Sequence, residues 1–272
     1  MIDEIAQFNI DRWAALVKAE APFARPYLAL DADNAREHID PHGLLGDLRG
    51  KEVLCLAAGG GSQSPAFALL GANVTVFDLS EAQLECDRQA AKHYGVSVVT
   101  IQGDMRDLSS LAPASFDVVC QGFSLGFVPE ARVVFEQVAR VIRPGGVYTF
   151  ANANPFFTGL AAQDWNGEGY TIKLPYTDGA LVTLPDADWV WKFSKPENLP
   201  MNEEIRYTRE YRQTLSKVLN TLIDMGFILL RIMEHGGLGD NSEPGGSWSH
   251  FMSVAPPWLE YWLRYEPRSV PA

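Results

Sequence analysis

The 272-residue chain is 47% hydrophobic and 21% charged, the balance of a folded globular protein and not of a disordered or collagen-like one. Thirty-four acidic against 22 basic side chains leave a net charge of −12, which argues against nucleic acid or an anionic membrane surface as a partner. There is no apolar run long enough to span a bilayer and no basic-then-apolar start, and Cys55, Cys86 and Cys120 show no pairing pattern, so a cytoplasmic protein with reduced thiols is expected.

Residues 1–50 open with Ile5, Phe8, Trp13, Leu16 and Val17 at roughly helical spacing. Pro22 and Pro26 break that pattern, and the polar segment DADNAREHID leads on to Gly50. This stretch reads as an N-terminal helical cap.

From residue 51 the chain alternates regularly. KEVLCLA runs into Gly59–Gly61, and SPAFALLGA is helical with Pro65 tolerated in its first turn. NVTVFD is a β-branched strand, and Ser80 with Gln83 has the capping-box spacing for a helix to about Tyr94. VSVVTIQ, FDVVCQ and GGVYTFAN supply three more strands, with a helix over about 130–142 ending at the RPGG stop. Val-rich strands alternating with helices predict an α/β fold, a doubly wound parallel sheet covered on both faces.

The order then changes. GYTIKLPY and ALVTL, joined across Thr177-Asp178-Gly179, read as a hairpin. A helix is expected over about 209–225, ending at Gly226, and the strand FILLRIM follows. The glycine-rich loop HGGLGDNSEPGGS then leads to a strand at SHFMSVA and an aromatic helix at PWLEYWLRY. The expected organisation is the cap over 1–50, one α/β domain from 51–154 with 206–272, and a substrate-side insertion over 155–205.

Ligands of such sheets sit beyond the carboxyl ends of the strands, where the strand order reverses. The first strand ends in Ala57-Ala58-Gly59-Gly60-Gly61, whose glycines let backbone approach a ligand. Asp78 ends the second strand and is placed to accept both ribose hydroxyls of an adenosine. Asp104, beside the apolar Met105, follows the third strand and could meet an adenine amino group, and Gln121 after the fourth would close the pocket. Each feature alone has a structural explanation: tight turns need glycine, and Asp78 also suits the start of the helix after Ser80. Together, at successive strand ends, they favour a binding site.

With VLCLAAGGG, VFDLS, GDMRDL, FDVVCQG and RPGG in this order over about 51–151, the chain resembles the class I S-adenosylmethionine-dependent methyltransferases. The resemblance implies a Rossmann-like, mostly parallel seven-stranded sheet whose last strand is antiparallel, with S-adenosyl-L-methionine as cofactor. It further implies that Ala57, Ala58, Gly59, Gly60 and Gly61 cradle the methionine part, Asp78 holds the ribose, and Asp104 and Met105 flank the adenine, with Leu79 also among the cofactor-binding residues. Two departures stand out. The family usually has an acid where this chain has Cys55 and a glycine where it has Ala57, so the cofactor's amino group needs another partner, for which Gln63 and Gln121 are candidates. A nicotinamide-dependent dehydrogenase is the competing reading, but Gly59-Gly60-Gly61-Ser62-Gln63-Ser64 lacks the last glycine of that fingerprint.

On the substrate side, a methyl acceptor is expected against the insertion and the loop after FILLRIM. Trp165, Trp189 and Trp248 are the candidate contacts, and His235 and His250 the candidate proton acceptors. The bland alternatives are core or homodimer tryptophans and satisfied histidines. His38 and His42 are separated by Pro41, which breaks the helix that would align them, so no metal site is expected. The sequence thus points to methyl transfer to a small organic acceptor. The alternatives are a non-catalytic binder of S-adenosylmethionine or S-adenosylhomocysteine, and a protein methyltransferase.

Overall fold

A computed structural model describes residues 2–185, 202–235, 239–254 and 256–267. The N-terminal stretch forms α1 (Glu4–Lys18) and α2 (Ala32–Ile39). The first helix starts where Asp3 accepts from the Ala6 N–H, relieving an orphan donor of the first turn. The second lies within the polar DADNAREHID segment, where no helix was expected. Its apolar stripe is short, but a reciprocal capping box between Asp31 and Asn34 starts it.

The alternating region folds as β1 (Glu52–Leu56), α3 (Gln63–Leu69), β2 (Asn73–Asp78), α4 (Glu81–Tyr94), β3 (Val98–Gln102), β4 (Phe116–Gln121), α5 (Ala131–Val141) and β5 (Ile142–Ala153). RPGG does not stop the chain between helix and strand. It is the opening of β5, where Gly145 takes φ 81° and the pairing with β4 shifts register between Phe116 and Val118.

The later elements depart further from the sequence reading. ALVTL does form β6 (Leu181–Pro185), but its partner is β7 (Tyr207–Tyr211), part of which was expected to begin a helix. Asp178, expected in the hairpin turn, instead accepts from the Thr214 N–H and hydroxyl, both at 2.8 Å, just ahead of α6 (Leu215–Asp224). After β8 (Phe227–His235), Ser249–Val254 of the expected strand belong to α7 (Trp248–Val254), and all but the first residue of PWLEYWLRY forms β9 (Trp258–Tyr265), the reverse of expectation. The reason is tertiary. β9 is inserted between β5 and β8 and paired on both edges, where its aromatic residues suit a sheet as well as a helix.

The seven strands are ordered β3-β2-β1-β4-β5-β9-β8, with β9 antiparallel to its neighbours and the others parallel. This is the doubly wound, mostly parallel sheet expected, except that the antiparallel strand comes from the segment read as a helix. Alternate residues of each strand serve opposite faces. Leu54, Leu56, Val119, Tyr148 and Phe150 pack with α5 and α6, while Val53, Cys55, Val76 and Trp262 pack with α2 and α3. Phe135 and Phe150 are fully buried, and truncating either to Ala would cost about 3–5 kcal/mol. The strand order reverses between β1 and β4, which places a crevice over their carboxyl ends.

Candidate functional site

A cavity of about 1320 Å³ opens at that crevice. Its floor is the turn after β1, where Ala57, Gly59, Gly60 and Gly61 take φ 43°, 36°, 80° and 68°. Glycine is favoured there because a side chain in the left-handed region meets the backbone, a cost of roughly 1–2 kcal/mol that Ala57 bears. Gly60 has a second reason: a β-carbon would lie 2.9 Å from the Phe23 carbonyl, which crosses over the turn. Gly61 faces away from the cavity, and its β-carbon would meet the Cys86 carbonyl at 2.7 Å and Ala90 Cβ at 2.9 Å, so it sets how closely the turn rests on α4.

Asp78 is buried at the end of β2 and lines the cavity with Leu79. Burial pushes its carboxyl up to about 6, although the N–H groups of Ser80, Gly59 and Leu79 favour the ionised form. Asp104 and Met105 also line the cavity. The Asp104 carboxylate is held by Arg106, whose Nε lies 3.0 and 2.9 Å from its two oxygens. Ala57, Ala58, Gly59 and Gln63 complete the expected group.

Gln121 is not brought to the cavity. Its amide turns into the core, where the Tyr148 hydroxyl donates to Oε1 and Nε2 meets the Ser124 hydroxyl. Cys55 is fully buried in the sheet, its thiol pushed up by desolvation, and Cys120 beside it is pushed up to about 12 for the same reason.

His235 and Trp248 also line the cavity. His235 Nε2 lies 2.8 Å from a Glu260 carboxylate oxygen, and the other oxygen accepts from Trp262 Nε1 at 2.6 Å. His250 and Trp165 are not lining residues. They pack together beside Tyr170, whose hydroxyl is 2.9 Å from His250 Nδ1, and Trp165 presses against Gly245. Trp189 and Trp191 lie outside the described residues. His38 stacks on Tyr27 and meets the Ser62 hydroxyl at 2.7 Å. Among the described residues no three His, Cys, Asp or Glu side chains converge as a metal would require, and no helix is long and apolar enough to cross a membrane.

Several lining residues escaped sequence reasoning. Gln83, recognised only for its capping-box spacing, lies under the glycine turn with neither amide atom hydrogen-bonded. Trp13 meets both Phe23 and Phe127 edge to face, and all three line the cavity. Trp13 was visible as an apolar helix position, but nothing local showed that its face covers a crevice.

A family model described as a methyltransferase domain matches residues 54–150. The uncharacterized methyltransferase YbaJ of Bacillus subtilis is 33% identical over 199 residues, 70% of this chain and 71% of its own length. A ubiquinone biosynthesis O-methyltransferase of Azotobacter vinelandii is 37% identical over 153 residues, 56% of this chain and 62% of that protein, so the chain spans less than two thirds of that relative. An S-adenosylmethionine-dependent methyltransferase structure from Mesorhizobium loti shares the fold with a TM-score of 0.59 at 22% identity, over 86% of this chain and 100% of that one. These relatives set aside the dehydrogenase reading. With such identity sustained over most of both chains in the first comparison, on a sheet with an antiparallel β9 between β5 and β8, this chain belongs to the class I S-adenosylmethionine-dependent methyltransferase family.

Proposed function

We propose that the enzyme methylates a hydroxyl of a small, largely apolar acceptor, and that donor and acceptor share the one cavity. The observation that carries this reading is the cavity's mixed lining, in which the glycine turn, Asp78 and Asp104 share one space with the aromatic side chains of Trp13, Phe127 and Trp248. Its volume exceeds the roughly 300–1,000 Å³ of an ordinary small-molecule site, leaving room for two ligands. The residues fit the family's cofactor, since the left-handed turn offers backbone at close range and buried polar atoms of Gln63 and Gln83 lack partners.

In this reading S-adenosylmethionine supplies a methyl group already activated by its sulfonium. Asp78 accepts the ribose hydroxyls, Leu79 and Met105 bracket the adenine, and Asp104, oriented by Arg106, accepts from the adenine amino group. The protein's work is then positioning and exclusion of water. Helix α1 and residues 157–163 of the insertion cover the acceptor. His235, oriented by Glu260, takes the proton that a hydroxyl must lose. The choice of oxygen follows the relatives named as O-methyltransferases.

The test is calorimetric titration with S-adenosylmethionine, S-adenosylhomocysteine and NADH, followed by a transfer assay on hydroxylated aromatic compounds. Binding of the two sulfur nucleosides alone, with methyl ethers as products, is expected. Binding of NADH alone, or methylation only of amines or peptides, would overturn the reading.

A further inference from the structure

The first-strand acid usual in the family is absent, and the structure shows that Cys55 cannot act in its place. Its side chain is enclosed between neighbouring strands, where Cys55 pairs with Val76 on one side and Cys120 on the other. Gln121, the other substitute suggested by the sequence, is spent on Tyr148 and Ser124. The buried carboxyl of Asp87 lies below the turn, is bonded by the Ser64 hydroxyl at 2.5 Å, and does not line the cavity.

Two other groups remain at the glycine turn. Gln63 begins α3 and Gln83 lies in the first turn of α4, so the two helices that flank the turn each contribute one carboxamide. Gln83 is 1% exposed, yet neither Nε2 nor Oε1 has a hydrogen-bond partner, and Gln63 Oε1 is likewise buried and unpartnered. Both residues line the cavity. Gln83 reaches the turn because glycine is there: its Oε1 lies 3.0 Å from where a Gly59 β-carbon would stand. Native proteins seldom leave such buried groups unmet, so a ligand is the natural partner.

We propose that the α-amino acid end of the donor is received by the neutral carboxamides of Gln63 and Gln83, in place of the acid on β1. The inference rests on the S-adenosylmethionine reading above. The ammonium donates to the two Oε1 atoms, and Gln83 Nε2 donates to the carboxylate. Turned either way, the Gln83 amide offers a donor group and an acceptor group, which suits a zwitterion without adding net charge.

The experiment compares S-adenosylhomocysteine with 5′-methylthioadenosine, which keeps the adenosine and thioether but lacks the amino acid. Both are titrated into the wild type, Gln83→Leu, Gln63→Leu and the double variant. Each single change should weaken S-adenosylhomocysteine about tenfold, as the loss of a hydrogen bond to a charged group does, and leave 5′-methylthioadenosine within about twofold. Unchanged affinity for both ligands, or an equal loss for both, overturns the proposal. Gln83→Met, unbranched and apolar, gives the same comparison should Gln83→Leu fail to fold. A wild type that binds both ligands equally overturns this inference alone, whereas one that binds neither overturns the donor reading with it.

Discussion

Arg106 grips Asp3 at 2.8 and 3.0 Å, tying the N-cap of the first helix to the turn after β3. The same guanidinium holds Asp104 in the cavity, and Asp3, drawn down to about 2 chiefly by this hydrogen bond, also accepts from the Ala6 N–H. One side chain therefore links a strand-end acid to the helix whose Trp13 walls the cavity.

Replacing Arg106 with Met should loosen α1 more than the sheet. The pairs are partly exposed, so global stability should fall by only about 1 kcal/mol. Amide exchange in α1 should accelerate while α5 stays protected. Equal exchange in α1 of both proteins would show that the Arg106–Asp3 tie does not hold the helix.

Asp78 makes nucleoside binding depend on pH. Its carboxyl titrates near 6 because burial disfavours the charge, and the ionised form is the better acceptor for ribose hydroxyls. Affinity for S-adenosylhomocysteine should rise between pH 5 and 7 with a midpoint near 6. Asp78→Asn should flatten the profile, while Asp87→Asn, altering a neighbour pushed up to about 7, should keep it. Stability moves the opposite way. The folded chain holds protons that the unfolded chain releases near 3.8, so this contribution declines as pH rises through roughly 4 to 7. A wild-type binding curve flat across pH 5–7 would refute the ribose assignment.

Two glycines with nearly equal φ should respond differently to Ala. Gly95 caps α4 at φ 67° with nothing near its missing side chain, so Gly95→Ala should cost about 1 kcal/mol from backbone strain. Gly61, at φ 68°, adds contacts with Cys86 and Ala90 and should cost several kcal/mol in total. Denaturant melts of the two variants read the difference directly, and equal losses would show that the turn can lift off α4.

The two histidines also separate. His235 lines the cavity with Glu260 behind it, whereas His250 is engaged by Tyr170 and Trp165 away from it. His235→Gln should lower kcat for a hydroxyl acceptor by about 10²-fold, and His250→Gln should leave kcat unchanged. Rates should converge for acceptors that arrive already ionised. A full rate in His235→Gln with an un-ionised hydroxyl would remove it as the proton acceptor.

By itself, the sequence determined the β1–β5 alternation, the glycine turn and the acids at the strand ends. These are written in short-range signals: β-branched runs, caps and glycines, each acting within a few residues. The tertiary structure alone decided the rest. Residues 248–265 are short and aromatic-rich, compatible with helix or strand, and the open position between β5 and β8 settled which segment became β9. It also turned Gln121 into the core and left the Gln83 carboxamide unbonded beneath the turn. It brought His235 to the cavity and left His250 outside it. Those outcomes depend on which strands pair and which face each side chain takes, and no local pattern encodes contacts between residues a hundred positions apart.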